Sequence, residues 1–145
     1  MLAVVAICFA GCKDKNAPES FNGNVARPTW TAPGVSDITS SMTAVIKVDL
    51  KAQYPETAAD WQPSVNDLLA AFSGETCLGV AQPQDGLFFL YIAAPVTGNP
   101  SSVTLRYYSA HYKNLFEAKD AFRFINDDHL GTIAEPFKPA FVVAK

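Results

Sequence analysis

The sequence predicts an all-β domain, an antiparallel β-sandwich, behind an N-terminal address and a polar tether. Two observations predict the sandwich. Short runs alternate apolar and polar residues with period two, as in 42–50, 102–108 and 121–125. Turn-forming Gly, Pro, Asn and Asp separate those runs at close spacing, and no long stretch carries a helical period. A third observation, the opening "MLAVVAICFAGCKDKN", predicts the address.

That opening run, Leu2 to Gly11, is about half the ~20 residues a membrane-crossing helix needs. Its length and small-residue ending fit the apolar region and cleavage site of a secretory signal. Phe9-Ala10-Gly11-Cys12 resembles a bacterial lipobox. The resemblance implies a signal peptide over 1–11, a diacylglycerol thioether on Cys12 and acylation of the new amino terminus, which anchors more firmly than one chain alone. Phe9 stands where leucine is usual, and no Lys or Arg precedes the run, so a translation start a few residues upstream is one reading and a buried N-terminal strand the alternative. Residues 12–40 read as a lipid-anchored tether. They are rich in Asn, Pro, Ser and Gly and show no apolar periodicity until Met42. Trp30, between Pro28 and Pro33, is expected to dock on the folded domain.

Without signal and tether, about a hundred residues remain, one ordinary domain. At 49% hydrophobic residues the chain can build a core, and a net charge of −3 gives no basic footprint for nucleic acid. Of three cysteines, Cys8 leaves with the signal and Cys12 is assigned to lipid. Cys77 then has no intramolecular partner and is expected to be a buried small hydrophobe.

Within the domain, 41–145, Met42, Ala44, Ile46, Val48 and Leu50 form the apolar face of a first strand. Residues 51–66, with Pro55, Trp61 and Pro63, form a long connection. For 67–82 two readings compete. Ser64-x-x-Asp67 looks like a helix-opening capping box, but Gly74-Glu75 marks a tight hairpin. The hairpin is preferred, with Phe72 opposite Cys77, Ala70 opposite Gly79, and both strands central. The run 86–95, "GLFFLYIAAP", is apolar throughout and is expected to be buried on both faces. Residues 96–101 form a loop. Strands follow at 102–110, 115–118 and 121–125, then a turn at 126–131 and a last strand at 141–144. Phe88, Phe89, Leu90, Phe122, Phe124 and Phe141 are expected to supply much of the core of a sandwich of Ig-like architecture.

"SMTAVIKVDL", "NDLLAAFSGETCLGVAQPQDGLFFLYI", "VTLRYYSA", "KNLFEAKDAFRFINDDHLGT" and "EPFKPAFV" resemble, in order, a module of secreted and lipid-anchored proteins of Bacteroidetes-type bacteria. The resemblance covers about 28–145. It implies a β-sandwich at the cell envelope and brings no established catalytic residues; the outer membrane is the expected seat of the lipid anchor, on either its periplasmic or its surface face. Members commonly carry arginine between the Cys and Gly of the return strand, where this chain has Leu78.

Catalytic motifs are missing from the sequence: there is no G-x-S-x-G, H-E-x-x-H or glycine-rich phosphate loop, and His111 and His129 both fall near expected turns. Asn126-Asp127-Asp128 offers hard oxygen ligands for Ca²⁺, with Asp127 and Asp128 as the metal candidates, although the same residues are good turn formers. No other cofactor is expected. Arg106, Tyr108 and Tyr112 share one strand parity, opposite to Val103, Leu105 and Tyr107. If the latter fill the core, the former point outward as a binding face. Trp61 is a second binding candidate or a lid on the core. The expectation is a non-catalytic lipoprotein of the envelope that binds glycan or protein. A structural or accessory subunit of an envelope complex is the alternative, and an enzyme the remote third.

Overall fold

The computed structural model describes residues 20–95 and 100–145. The expected signal peptide, Cys12 and the first part of the tether lie outside the described residues, as do residues 96–99.

Among the described residues, ten strands build two packed sheets, an all-β sandwich. The smaller sheet has β1 (Ile38–Ile46), β4 (Pro83–Gln84), β5 (Leu87–Pro95) and β9 (His129–Leu130), in the order β4-β5-β1-β9. The larger has β2 (Leu68–Ser73), β3 (Thr76–Ala81), β6 (Ser102–Ser109), β7 (Asn114–Ala118) and β10 (Phe141–Val143), in the order β10-β7-β6-β2-β3. The short β8 (Phe122–Arg123) pairs with the start of β6. Neighbours are antiparallel except β1 and β9, which run parallel. Among the described residues no helix is long and apolar enough to cross a membrane.

The core lies between the sheets, and the period-two faces supply it. Met42, Ala44 and Ile46 of β1, Phe88, Leu90 and Ile92 of β5, and Val103, Leu105 and Tyr107 of β6 are all buried. Phe141 is buried, while Phe122 and Phe124 pack partly buried against the same cluster. Val48 and Leu50 are buried too, but β1 ends at Ile46. Asp49 accepts a hydrogen bond from Ala52 N at 3.0 Å and caps α1 (Leu50–Gln53), a single helical turn. Gln53 and Tyr54 then close the outer edge of β10. Gln53 Oε1 accepts from Phe141 N at 2.8 Å, Gln53 Nε2 donates to Pro139 O at 2.9 Å, and the Tyr54 hydroxyl donates to Phe141 O. Side chains thereby occupy backbone groups through which an open edge recruits other strands.

The hairpin forms as expected, with Phe72 opposite Cys77 and Gly74 at φ 60° in the turn. Its far end is corrected. A bulge at Leu78 puts Ala71, rather than Ala70, opposite Gly79, and turns Leu78 into the core at 1% exposure. Only β2 is central; β3 is the last strand of its sheet and meets β5 of the other sheet. A Cβ on Gly79 would lie 2.1 Å from Tyr91 O, so glycine is required for that approach. Cys77 is half-buried rather than fully packed. Its thiol donates to Gly79 O at 3.6 Å, and burial pushes it above its ordinary pKa.

Two further expectations are corrected. β5 is not buried on both faces along its whole length: Phe89, expected in the core, is 42% exposed and Tyr91 is 52% exposed, and on that side of the strand Ala93 is buried. The described part of the tether is no free linker up to residue 40. Phe21 is 1% exposed and makes edge-on contacts with Tyr54, Tyr112 and Phe116. Gly23 N donates to Tyr112 O at 2.8 Å and Val25 N to Lys113 O at 2.9 Å. Asn114 Nδ2 donates to Phe21 O at 3.0 Å, and Arg27 Nε to Asn66 O at 3.0 Å. Trp30 docks on Phe72 with ring centroids 5.6 Å apart. Residues 21–30 thus form a strap across the larger sheet, and its sequence hides this because its anchors are isolated among polar residues.

Candidate functional site

The face expected around Arg106, Tyr108 and Tyr112 is covered. β6 lies between β2 and β7, and the strap passes over its outer side. Tyr108 is 5% exposed, and its hydroxyl donates to Val25 O of the strap at 3.2 Å. β6 ends at Ser109, so Tyr112 lies beyond a turn and does not continue the strand parity. It packs on Phe21 and is 2% exposed. Arg106 stays partly accessible, but its guanidinium lies 4.0 Å from the Phe72 ring centre and pairs with Glu75 at 2.9 Å. The shallow groove beside it, about 280 Å³, is lined by Glu75 and Glu117 as well as Arg106 and Lys145, so its charges offset one another.

Trp61 is a core lid. It is buried, and its Nε1 donates to the Tyr107 hydroxyl at 3.2 Å. That hydroxyl donates to Asp67 Oδ2 at 2.8 Å. Asp67 is 2% exposed and also accepts from Ser64 N at 3.0 Å and Ala110 N at 2.8 Å. Burial raises its pKa, against the pull of those three hydrogen bonds. Burial and the Asp67 charge push Tyr107 far up, so it remains a donor. The capping-box signal at Ser64 and Asp67 was thus a true hydrogen-bond signal used in a turn. Nothing local indicated that Tyr107 and Ala110 would complete it.

At the surface end of this network Tyr112 donates to Asp60 Oδ1 at 2.7 Å, and His111 Nε2 lies 3.4 Å from Asp60 Oδ2. The Tyr112 hydrogen bond, more than His111, lowers the Asp60 pKa, with burial opposing. Burial and the Asp60 carboxylate raise Tyr112. These pairs tie the 54–61 connection to the end of β6.

The residues that sequence reasoning missed lie on the other sheet. Thr43 is the cross-strand partner of both Tyr91 and His129, so the three form one row across β5, β1 and β9. Directly paired residues share a face. Thr43 Oγ1 is hydrogen-bonded to His129 Nδ1. The next outward row pairs Phe89 with Val45. Phe89 and Tyr91 are two residues apart on one strand face, roughly 6.7 Å at the usual rise. The row sets exposed ring surface beside hydroxyl and imidazole groups. An unbroken apolar run concealed it, since both faces of β5 carry hydrophobic residues.

The 126–128 turn is built against β1. Asn126 Oδ1 accepts from Ser41 N at 2.9 Å, Asp127 N donates to Ser41 O at 2.7 Å, and Asp128 O accepts from Thr43 N at 3.1 Å. Asp127 has φ 63°, a turn conformation that Asp tolerates. Among the described residues no group of three or more His, Cys, Asp or Glu side chains is placed to hold a metal ion.

With this geometry in hand, comparison with known proteins adds no relative: the chain matches no protein-family model, no curated protein and no solved structure.

Proposed function

We propose that the protein is a non-catalytic lipoprotein of the cell envelope, anchored through Cys12, that binds a glycan or protein ligand on the outer face of the smaller sheet. The observation that carries this reading is the exposed pair Phe89 and Tyr91 beside the Thr43–His129 hydrogen bond. Aromatic side chains left in water on a rigid sheet supply contact area at low entropic cost. Four of the titratable groups with shifted pKa values are paired within the fold: Asp67 and Tyr107 link a loop to β6, and Asp60 and Tyr112 link the 54–61 connection to its end. The lipobox-like Phe9-Ala10-Gly11-Cys12 supports the location.

The test is the double variant Phe89→Ala/Tyr91→Ala, assayed for retention on immobilised polysaccharides and on isolated envelope proteins. Wild-type protein is expected to bind at least one of these. The variant is expected to keep its unfolding midpoint and lose at least tenfold in affinity. Undiminished binding by a folded variant overturns the assignment of this face.

A further inference from the structure

We infer that Asn22-Gly23 is a deamidation site in the strap, held back while the strap is docked and loosening the strap once the reaction has occurred. The inference is independent of the binding face. The sequence contains one Asn-Gly pair, and Asn22 is exposed. Asparagine is among the thermally labile residues. Its side-chain carbonyl carbon is open to attack by the backbone nitrogen of the next residue, and a glycine there has no Cβ to hinder the approach. The fold itself requires that glycine. A Cβ on Gly23 would lie 2.7 Å from Asn114 Cγ and 2.8 Å from Lys113 O. The close seat of the strap on the β6–β7 turn therefore keeps the least hindered neighbour beside Asn22.

The step balances with water and hydroxide alone. Gly23 N gives its proton to solvent hydroxide and forms a bond to Asn22 Cγ. The Cγ–Nδ2 bond breaks, and the nitrogen takes a proton from water and leaves as ammonia. Water then opens the five-membered ring at either carbonyl. One opening restores the ordinary backbone with a carboxylate in place of the amide. The other runs the main chain through the side chain, one methylene longer, and also leaves a carboxylate.

In the docked strap both reacting groups are engaged elsewhere. Gly23 N donates to Tyr112 O at 2.8 Å, and Asn22 Nδ2 donates to Ser20 Oγ at 2.9 Å. A nitrogen that holds its proton on Tyr112 O does not attack, so the reaction draws on the open population of the strap. The product then acts on docking. Phe21, 1% exposed, sets the register on one side of the site, and Asn114 Nδ2 holds its carbonyl at 3.0 Å. The bonds from Gly23 N and Val25 N to the 112–113 turn set it on the other. With an added methylene between them, the chain cannot keep both in one register. The reaction is one-way, so it records how long a strap has spent undocked.

The experiment incubates the purified protein and a synthetic peptide of residues 20–31 in mildly alkaline buffer. Conversion is followed by peptide mapping with mass detection, and the two ring-opened forms are separated by chromatography. The peptide is expected to convert, and the protein to convert at the same pair at least tenfold more slowly. Phe21→Ala should convert severalfold faster than wild type. So should Tyr108→Phe, a milder variant that removes the hydroxyl donated to Val25 O and keeps the test open if Phe21→Ala does not fold. Wild-type protein carrying the lengthened backbone should unfold at a lower temperature than unconverted protein. Wild type converting as fast as the peptide, or folded Tyr108→Phe converting no faster than wild type, overturns the gating by the strap. No conversion at this pair in any form of the protein overturns the site, and an unchanged unfolding temperature overturns the loosening.

Discussion

The hydroxyl of Tyr107 donates to the buried carboxylate of Asp67 at 2.8 Å, joining the end of a long connection to a central strand of the larger sheet. Tyr107→Phe removes both that donor and the acceptor used by Trp61 Nε1. Leaving buried polar groups short of partners costs about 1–3 kcal/mol. A lower urea midpoint with an unchanged m-value is the expected reading, and an unchanged midpoint refutes the role given to this bond.

The two aspartates of the connection give opposite pH dependence. Asp67 has a folded pKa raised above 3.8, chiefly by burial, so the folded state holds its proton more readily than the unfolded chain does. Its contribution is full below about pH 3.8 and declines as pH rises through the folded value. Asp60 has a folded pKa below 3.8, chiefly through Tyr112, so its contribution is present above that value and is lost as pH falls. Asp67→Asn should flatten the decline above pH 4, and Asp60→Asn the loss on the acid side. Denaturant titrations across about pH 2.5–7 compare the slopes; unchanged slopes count against both.

Phe21 tests whether the strap belongs to the fold. At 1% exposure, with three aromatic neighbours, Phe21→Ala should cost about 3–5 kcal/mol in unfolding free energy. Gly23→Ala should also destabilise, since its Cβ would lie 2.7 Å from Asn114 Cγ and 2.8 Å from Lys113 O. A freely moving segment would show neither effect in thermal unfolding.

Cys12 tests the proposed anchor. Cys12→Ser should shift the protein out of the membrane fraction or block its processing, seen by fractionation and intact mass. Wild-type mass and fractionation in the variant would remove the lipid from the proposal.

Much of the sandwich was legible because period two survives wherever one face of a strand is polar. The alternations in β1 and β6 placed Met42, Ala44, Ile46, Val103, Leu105 and Tyr107 correctly, and the Gly74 turn set Phe72 opposite Cys77. Legibility failed where pattern carries no facing information. In "LFFLYI" every position is apolar, so the exposed Phe89 and Tyr91 could not be told from buried Phe88 and Leu90. It failed again where a distant segment decided burial. Tyr108 has the parity of a solvent-facing residue, and only the strap at Val25 covers it. The row through Thr43 and His129 depends on a parallel pairing between residues 86 apart in sequence, which no local signal encodes.

The docked strap also sets a radius of action. A linker free from Lys13 to Ser40 could stretch to about 95 Å at ~3.4 Å per residue. With Phe21 seated in the core, the leash from a lipid on Cys12 is only residues 13–20, about 27 Å at full extension. If Cys12 carries the proposed lipid, a protein so tied would work within one domain's width of the bilayer. On that proposal it would meet ligands delivered to that surface and would not sweep the space beyond it.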